Sequence, residues 1–246
     1  YIKGLDGLRA LAVVMVLAYH LKLPIAKSGL LGVTVFFVLS GFLITRILIT
    51  EIEETHTIDL KNFWVRRIRR LIPAVLSMAV VIIFVSAVVN RVVFTKGCKD
   101  FVASVLGFNN WWQIFNKVSY FEAAGAPSPF THCWSLAIET QFYLIYPILL
   151  LLLSRVFRKR KKRGKVFVGL SALLAVVSMI LMAVLYNPNG DPSRVYYGTD
   201  TRAFALLIGA LAAIQLEYRI IKVRLPRKIW ALIGSISLVI LTCMMI

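Results

Sequence analysis

Seven long apolar runs set the pattern of this chain, at about residues 8–23, 30–50, 71–92, 134–154, 166–186, 200–217 and 229–246. Each approaches or exceeds the roughly 20 residues that a helix needs to cross a hydrocarbon core. Over such lengths only helices satisfy the backbone within lipid. The ten-residue alternation of a membrane barrel is missing. The pattern therefore predicts an all-α, polytopic membrane helical bundle of about seven spans, forming one domain over 1–246. The chain stops inside an apolar run, at Met244-Met245-Ile246, so the domain is expected to be incomplete at its C-terminus. The first run has Asp6 in front of it and no basic region, which reads as a retained span with Asp6 as N-cap, not as a signal peptide.

Two segments read as interfacial helices. Residues 60–72 place Arg66, Arg67, Arg69 and Arg70 on one arc and Trp64, Ile68, Leu71 and Ile72 on the other. There the chain is expected to turn into the membrane at Pro73. Residues 99–117 carry Phe101, Phe108, Trp111 and Trp112, which suit anchoring at an interface. The stretch AAGAPSPF reads as irregular.

The net charge of +18 raises nucleic acid as a partner. Its distribution excludes that reading: with the N-terminus in the cytoplasm, most of the 29 Lys and Arg fall on the inner side, as topology requires. The basic loop 155–165 then needs no other explanation. Cys98 and Cys133 both fall outside, where they form a disulfide or remain two thiols, and Cys243 packs in a span. Gly29, Gly32, Ser40 and Gly41 suit close helix contact.

A few polar side chains interrupt the apolar runs. Arg9 and His20 lie eleven residues apart, on one helical face and about 16 Å along the axis. This spacing puts the imidazole beyond the midplane, where an ionisable group needs a partner. In the fourth run His132, Ser135, Glu139 and Tyr146 share a face, with Gln141 opposite. Glu139 lies at a depth compatible with His20, so the two can pair across helices; a structural polar contact is the alternative. The arginines of 66–70 fit topology and anionic lipid, or phosphate oxygens gripped by guanidinium forks. Arg202 stands just inside the outer edge of the sixth run, against the charge trend, and snorkelling also accounts for it. Thr199 or Asp200 can cap that helix. His56 receives no role. No Walker, GxGxxG, HExxH or paired CxxC pattern is present, and nothing supports a metal site.

Taken together, GLDGLRALAVVMVLAYH, GVTVFFVLSGFLIT, FWVRRIRRLIP, HCWSLAIETQFYLIYP and TDTRAFALLIGALAA resemble, in order, the membrane-bound acyltransferase family three, and within it the bacterial peptidoglycan and exopolysaccharide O-acetyltransferases. The resemblance implies an O-acyltransferase of the bacterial cell membrane. It would take acetyl from cytoplasmic acetyl-CoA, with no tightly bound cofactor, and deliver it to an extracytoplasmic hydroxyl of peptidoglycan or another surface polysaccharide. His20 becomes the expected catalytic residue, supported by Ser135 and Glu139. Arg9, Arg67 and Arg70 face acetyl-CoA, and His132 and Arg202 are candidates for the acceptor side. The implied partners are acetyl-CoA, membrane lipids, and the polysaccharide or a separate extracellular transferase domain. Thr34 stands where many members carry Asp, so no role is carried there. A transporter or flippase for an anionic or lipid-linked sugar is the competing class, and a membrane scaffold a third. Paired inverted halves, which a transporter would favour, are not evident.

Overall fold

A computed structural model describes residues 3–121, 128–221 and 226–245. Its helices are α1 (Lys3–His20), α2 (Leu31–Thr55), α3 (Leu60–Val89), α4 (Arg91–Val105), α5 (Asn109–Phe115), α6 (Cys133–Val156), α7 (Arg160–Leu185), α8 (Ser193–Tyr197), α9 (Thr199–Tyr218) and α10 (Arg227–Met245). There is no strand among the described residues. Six helices among them, α2, α3, α6, α7, α9 and α10, are long and apolar enough to cross a membrane. The protein is a multi-pass membrane bundle. The first expected span is helical, but Asp6 and Arg9 in its opening turns leave it less apolar than the six.

The core lies among α2, α6, α7 and α9, around Phe37, Leu48, Tyr146, Phe167, Leu206 and Ile214. Small residues bring these helices together. A methyl group on Gly41 would collide with the Leu206 carbonyl, and one on Gly209 with the Val38 carbonyl. The two glycines therefore let the α2 and α9 backbones touch, as small residues do where no hydrophobic force drives association. Gly29 and Gly32 likewise receive the Met15 and Ala12 carbonyls of α1.

Several local expectations are corrected. Residues 60–72 do not form a separate interfacial helix: α3 runs through Pro73 without a turn. At 30 residues it is about 45 Å long, more than the core needs. Its basic turns therefore project beyond the span, where water can satisfy the carbonyl that Pro73 leaves free. Residues 99–117 are two helices broken at Gly107, whose φ of 74° ends α4. The basic stretch 155–165 is not merely a solvated loop, because α7 begins inside it. Arg163, 5% exposed, donates to Glu53 at 2.5 Å, beside Arg160 at 2.8 Å and the Tyr218 hydroxyl at 2.7 Å. Asp6 lies within α1 and pairs with Arg9 at 3.5 Å, so it is not the cap. Gly198 caps α9, while Asp200 pairs with Arg194. Cys98 is exposed and Cys133 buried, and both are free thiols. Most of AAGAPSPF lies outside the described residues.

Candidate active site

α1 ends at His20 because the chain reverses there: Lys22 adopts φ 54° and a short 3-10 turn follows at Pro24–Ala26. The imidazole therefore stands at the helix end, on the face opposite the basic one. Its Nδ1 lies 2.8 Å from the Val16 carbonyl. A carbonyl only accepts, so Nδ1 carries the proton and Nε2 the lone pair. The Tyr120 hydroxyl donates to that lone pair at 3.2 Å. Burial pushes the Tyr120 phenol up to about 12, which keeps it a donor.

Aromatic packing holds this centre. The His132 ring meets His20 edge-on, with centroids 4.7 Å apart. Packing strips water from the His132 ring and His20 stands beside it; both hold its pKa below the ordinary value, favouring the neutral form. Tyr120 donates its backbone N–H to Ser193 Oγ at 2.8 Å and tilts over Tyr196 at 4.7 Å. Trp134 closes the cluster against Tyr196 at 4.5 Å.

Glu139 lies in a second centre. Seven residues beyond His132, it is about 10 Å deeper along α6. Ser40 Oγ donates to one carboxylate oxygen at 2.9 Å and the Tyr143 hydroxyl to the other at 2.8 Å. Both donors face a cavity of about 90 Å³, walled also by Arg9, Arg67 and Arg70. Arg67 and Arg70 form no ion pair among the described residues, and Arg67 instead lies over the Phe63 ring at 5.4 Å. Buried Arg67 Nε has no hydrogen-bond partner. Arg9 and Leu43 also border a larger cleft of about 530 Å³, lined by Arg46, Thr50, Glu51 and Glu54 towards the basic face.

The expected His20–Glu139 pair is thus not formed. The first helix ends level with the start of α6, so His132 meets the imidazole and Glu139 lies too deep. Arg9, Arg67, Arg70 and Glu139 do come together. Ser135 joins neither centre, its Oγ lying 3.5 Å from its own helix's His132 carbonyl. Arg202 lies over the Tyr196 ring at 4.6 Å, at the edge of the aromatic cluster.

Sequence reasoning missed Ser40, Tyr120 and Tyr143. It also missed Gln141, which accepts from Trp111 at 3.2 Å and donates to Asn110 Oδ1 at 2.9 Å, tying α5 to α6. For Tyr143 there was a signal, because it follows Glu139 by one helical turn. Tyr120 and Ser40 are brought in from other segments, and no local pattern marks them.

A family model described as an acyltransferase domain matches residues 2–246. The chain is 46% identical over 243 residues to the peptidoglycan O-acetyltransferase OatA of Listeria monocytogenes, covering 99% of this chain and 38% of that protein. It is 46% identical over 230 residues to YrhL of Bacillus subtilis, covering 93% and 36%. A Staphylococcus aureus (strain COL) protein is 44% identical over 213 residues, covering 87% and 34%. The chain thus spans under two-fifths of the length of these relatives. No solved structure matches it significantly. With a single model matching nearly from end to end and near-half identity to these bacterial proteins, the chain belongs to the acyltransferase domain family.

Proposed function

We propose that this chain is the membrane portion of an O-acetyltransferase that carries acetyl from cytoplasmic acetyl-CoA to a hydroxyl beyond the membrane. Peptidoglycan, the acceptor in the name of the Listeria relative, is the favoured acceptor class. One observation carries the reading. Arg9 and His20 stand on one helix, about 16 Å apart along its axis; α3 brings Arg67 and Arg70 beside Arg9, while His20 keeps a lone pair on Nε2 at the far end.

The donor enters from the basic face through the larger cleft. Its phosphates engage Arg67 and Arg70, whose forks pair with no carboxylate among the described residues, with Arg9 beside them. The flexible arm then runs along α1 and brings the thioester to His20. The acceptor hydroxyl replaces Tyr120 as donor to Nε2. As its oxygen attacks the thioester carbon, its proton passes to Nε2. The C–S bond breaks, and the departing CoA thiolate takes the proton back from the imidazolium. The Val16 carbonyl holds the tautomer throughout, and neutral His132 adds no charge against the transient imidazolium.

The test uses the full-length protein in membranes. His20→Ala should leave its abundance unchanged and abolish ester formation; retained acetylation overturns the assignment. Arg67→Ala should chiefly raise KM for acetyl-CoA, and an unchanged KM returns that arginine to topology.

A further inference from the structure

On the His20 face, α7, α8 and α9 enclose a groove of about 480 Å³ that the reaction above does not use. Its walls include Phe121, Met182, Tyr186, Val195 and Tyr196, and Arg202 is the only charged lining residue among the described residues. Arg202 Nε donates to the Tyr196 carbonyl at 3.3 Å, and the guanidinium lies over the Tyr196 ring. Its two terminal nitrogens have no protein acceptor among the described residues. The carboxylates nearest in sequence are already engaged: Asp200 holds Arg194 at 2.7 Å, and Asp191 accepts from Ser193 Oγ at 2.6 Å. A half-buried cation with an open fork, set in apolar walls, calls for an anion.

The walls say which anion. α7 supplies Met182 and Ala183 to the groove and Tyr186 follows its end; Phe121, Ala183 and Tyr186, at the groove's own rim, are all exposed. The groove therefore continues the surface that faces lipid, and an occupant reaches it from within the bilayer. A free polysaccharide would bury hydroxyls against walls with few partners to offer. A phosphodiester with an attached hydrocarbon chain satisfies both halves of the site.

We infer that this groove holds an anionic glycerophospholipid of the leaflet on the His20 face. The phosphate sits on the Arg202 fork and one acyl chain runs along Met182 and Tyr186. The headgroup then lies next to Tyr196, whose ring supports Tyr120, the donor to His20. The inference does not depend on acyl transfer.

The test is native mass spectrometry of the purified full chain, titrated with equal amounts of phosphatidylglycerol and phosphatidylcholine. Removing one charge-assisted interaction predicts that Arg202→Gln weakens retention of the most tightly held phosphatidylglycerol about tenfold. Arg202→Lys keeps the charge but loses the fork, and should fall between. The basic face binds anionic lipid in every variant, so the difference between variants is the signal. Met182→Trp, which fills the groove and leaves the arginine in place, should lower retention of that same lipid, and it serves if Arg202→Gln does not fold. Equal phosphatidylglycerol retention in wild type and both groove variants overturns the inference. So does displacement of phosphatidylglycerol by an equimolar polyprenyl phosphate, which would assign the groove to a lipid-linked carrier. Readout by bound mass keeps this outcome separate from any failure of ester formation.

Discussion

Glu139→Gln distinguishes the two centres most sharply. In the structure the carboxylate serves the arginine cavity, not the imidazole. Gln can accept from only one of Ser40 and Tyr143 and must turn its amide nitrogen towards the other. One charge-assisted bond is lost, worth about 1.5–3 kcal/mol, or roughly ten- to 150-fold. Because Arg9, Arg67 and Arg70 share the cavity, that loss should appear mainly in KM for the proposed donor, acetyl-CoA. The effect on His20 should be small. Glu139 lies about 10 Å below the His20 level, and His20 is exposed. In a water-like dielectric two charges at that separation interact by about 0.4 kcal/mol, near a third of a pH unit. The assay is CoA release by the full-length enzyme in nanodiscs, with initial rates measured from pH 5 to 8. The acid limb of the kcat profile should move by less than half a unit. A shift above one unit, with KM unchanged, would mean that the carboxylate acts directly on the imidazole and would refute the separation into two centres.

Three further outcomes follow from the packing. Gly209→Ala drives a methyl group into the Val38 carbonyl and should cost about 1–3 kcal/mol, read as a lower Tm in detergent; an unchanged Tm would show that α2 and α9 do not touch there. Glu53→Ala strands buried Arg163 and should cost about 3 kcal/mol, the low end for a broken buried pair because Glu53 is partly exposed; recovery in Glu53→Ala/Arg163→Met measured by the same melt tests whether the stranded charge is the cause. Desolvation of the His132 ring, together with neighbouring His20, depresses its folded pKa, so below about 6.5 the unfolded chain binds a proton that the folded one refuses. Stability should therefore fall as pH drops from 6.5 to 5, and His132→Asn should flatten that slope; an identical slope in the variant removes His132 as its source.

The helices were legible because long apolar runs admit little else in lipid, and Gly29, Gly32 and Gly41 announced close contacts that the backbone makes. The depth of His20 was not. Leu21 and Leu23 extend the first apolar run past the imidazole, yet they flank the turn at Lys22 and are 70% and 42% exposed. Those residues made His20 read as interior when it stands at a helix end. The arginine cluster was legible as a cluster, and Glu139 as a group in need of partners. Of its two partners Tyr143 follows one turn on, but Ser40 was not legible, because it comes from a different helix 99 residues away. The basic stretch before α7 misled in the opposite direction. Topology accounts for its charge so well that the ion pairs of Arg160 and Arg163 with Glu53 left no trace in the pattern.

The division into two centres has a chemical consequence that the expected pairing lacked. A carboxylate beside an imidazole favours the charged imidazolium, which has no lone pair with which to accept a proton. Burying that ion pair in a membrane would also leave both ions to be desolvated. Here the carboxylate is satisfied by two hydroxyls next to guanidinium groups, and the imidazole is oriented by a neutral carbonyl of its own helix. Orientation and charge are thus supplied by different groups. Val16 fixes which nitrogen is free, and the negative charge stays where cations already gather. An imidazole held in this way can take a proton from a hydroxyl and return it, which is what transfer to an alcohol demands of its base.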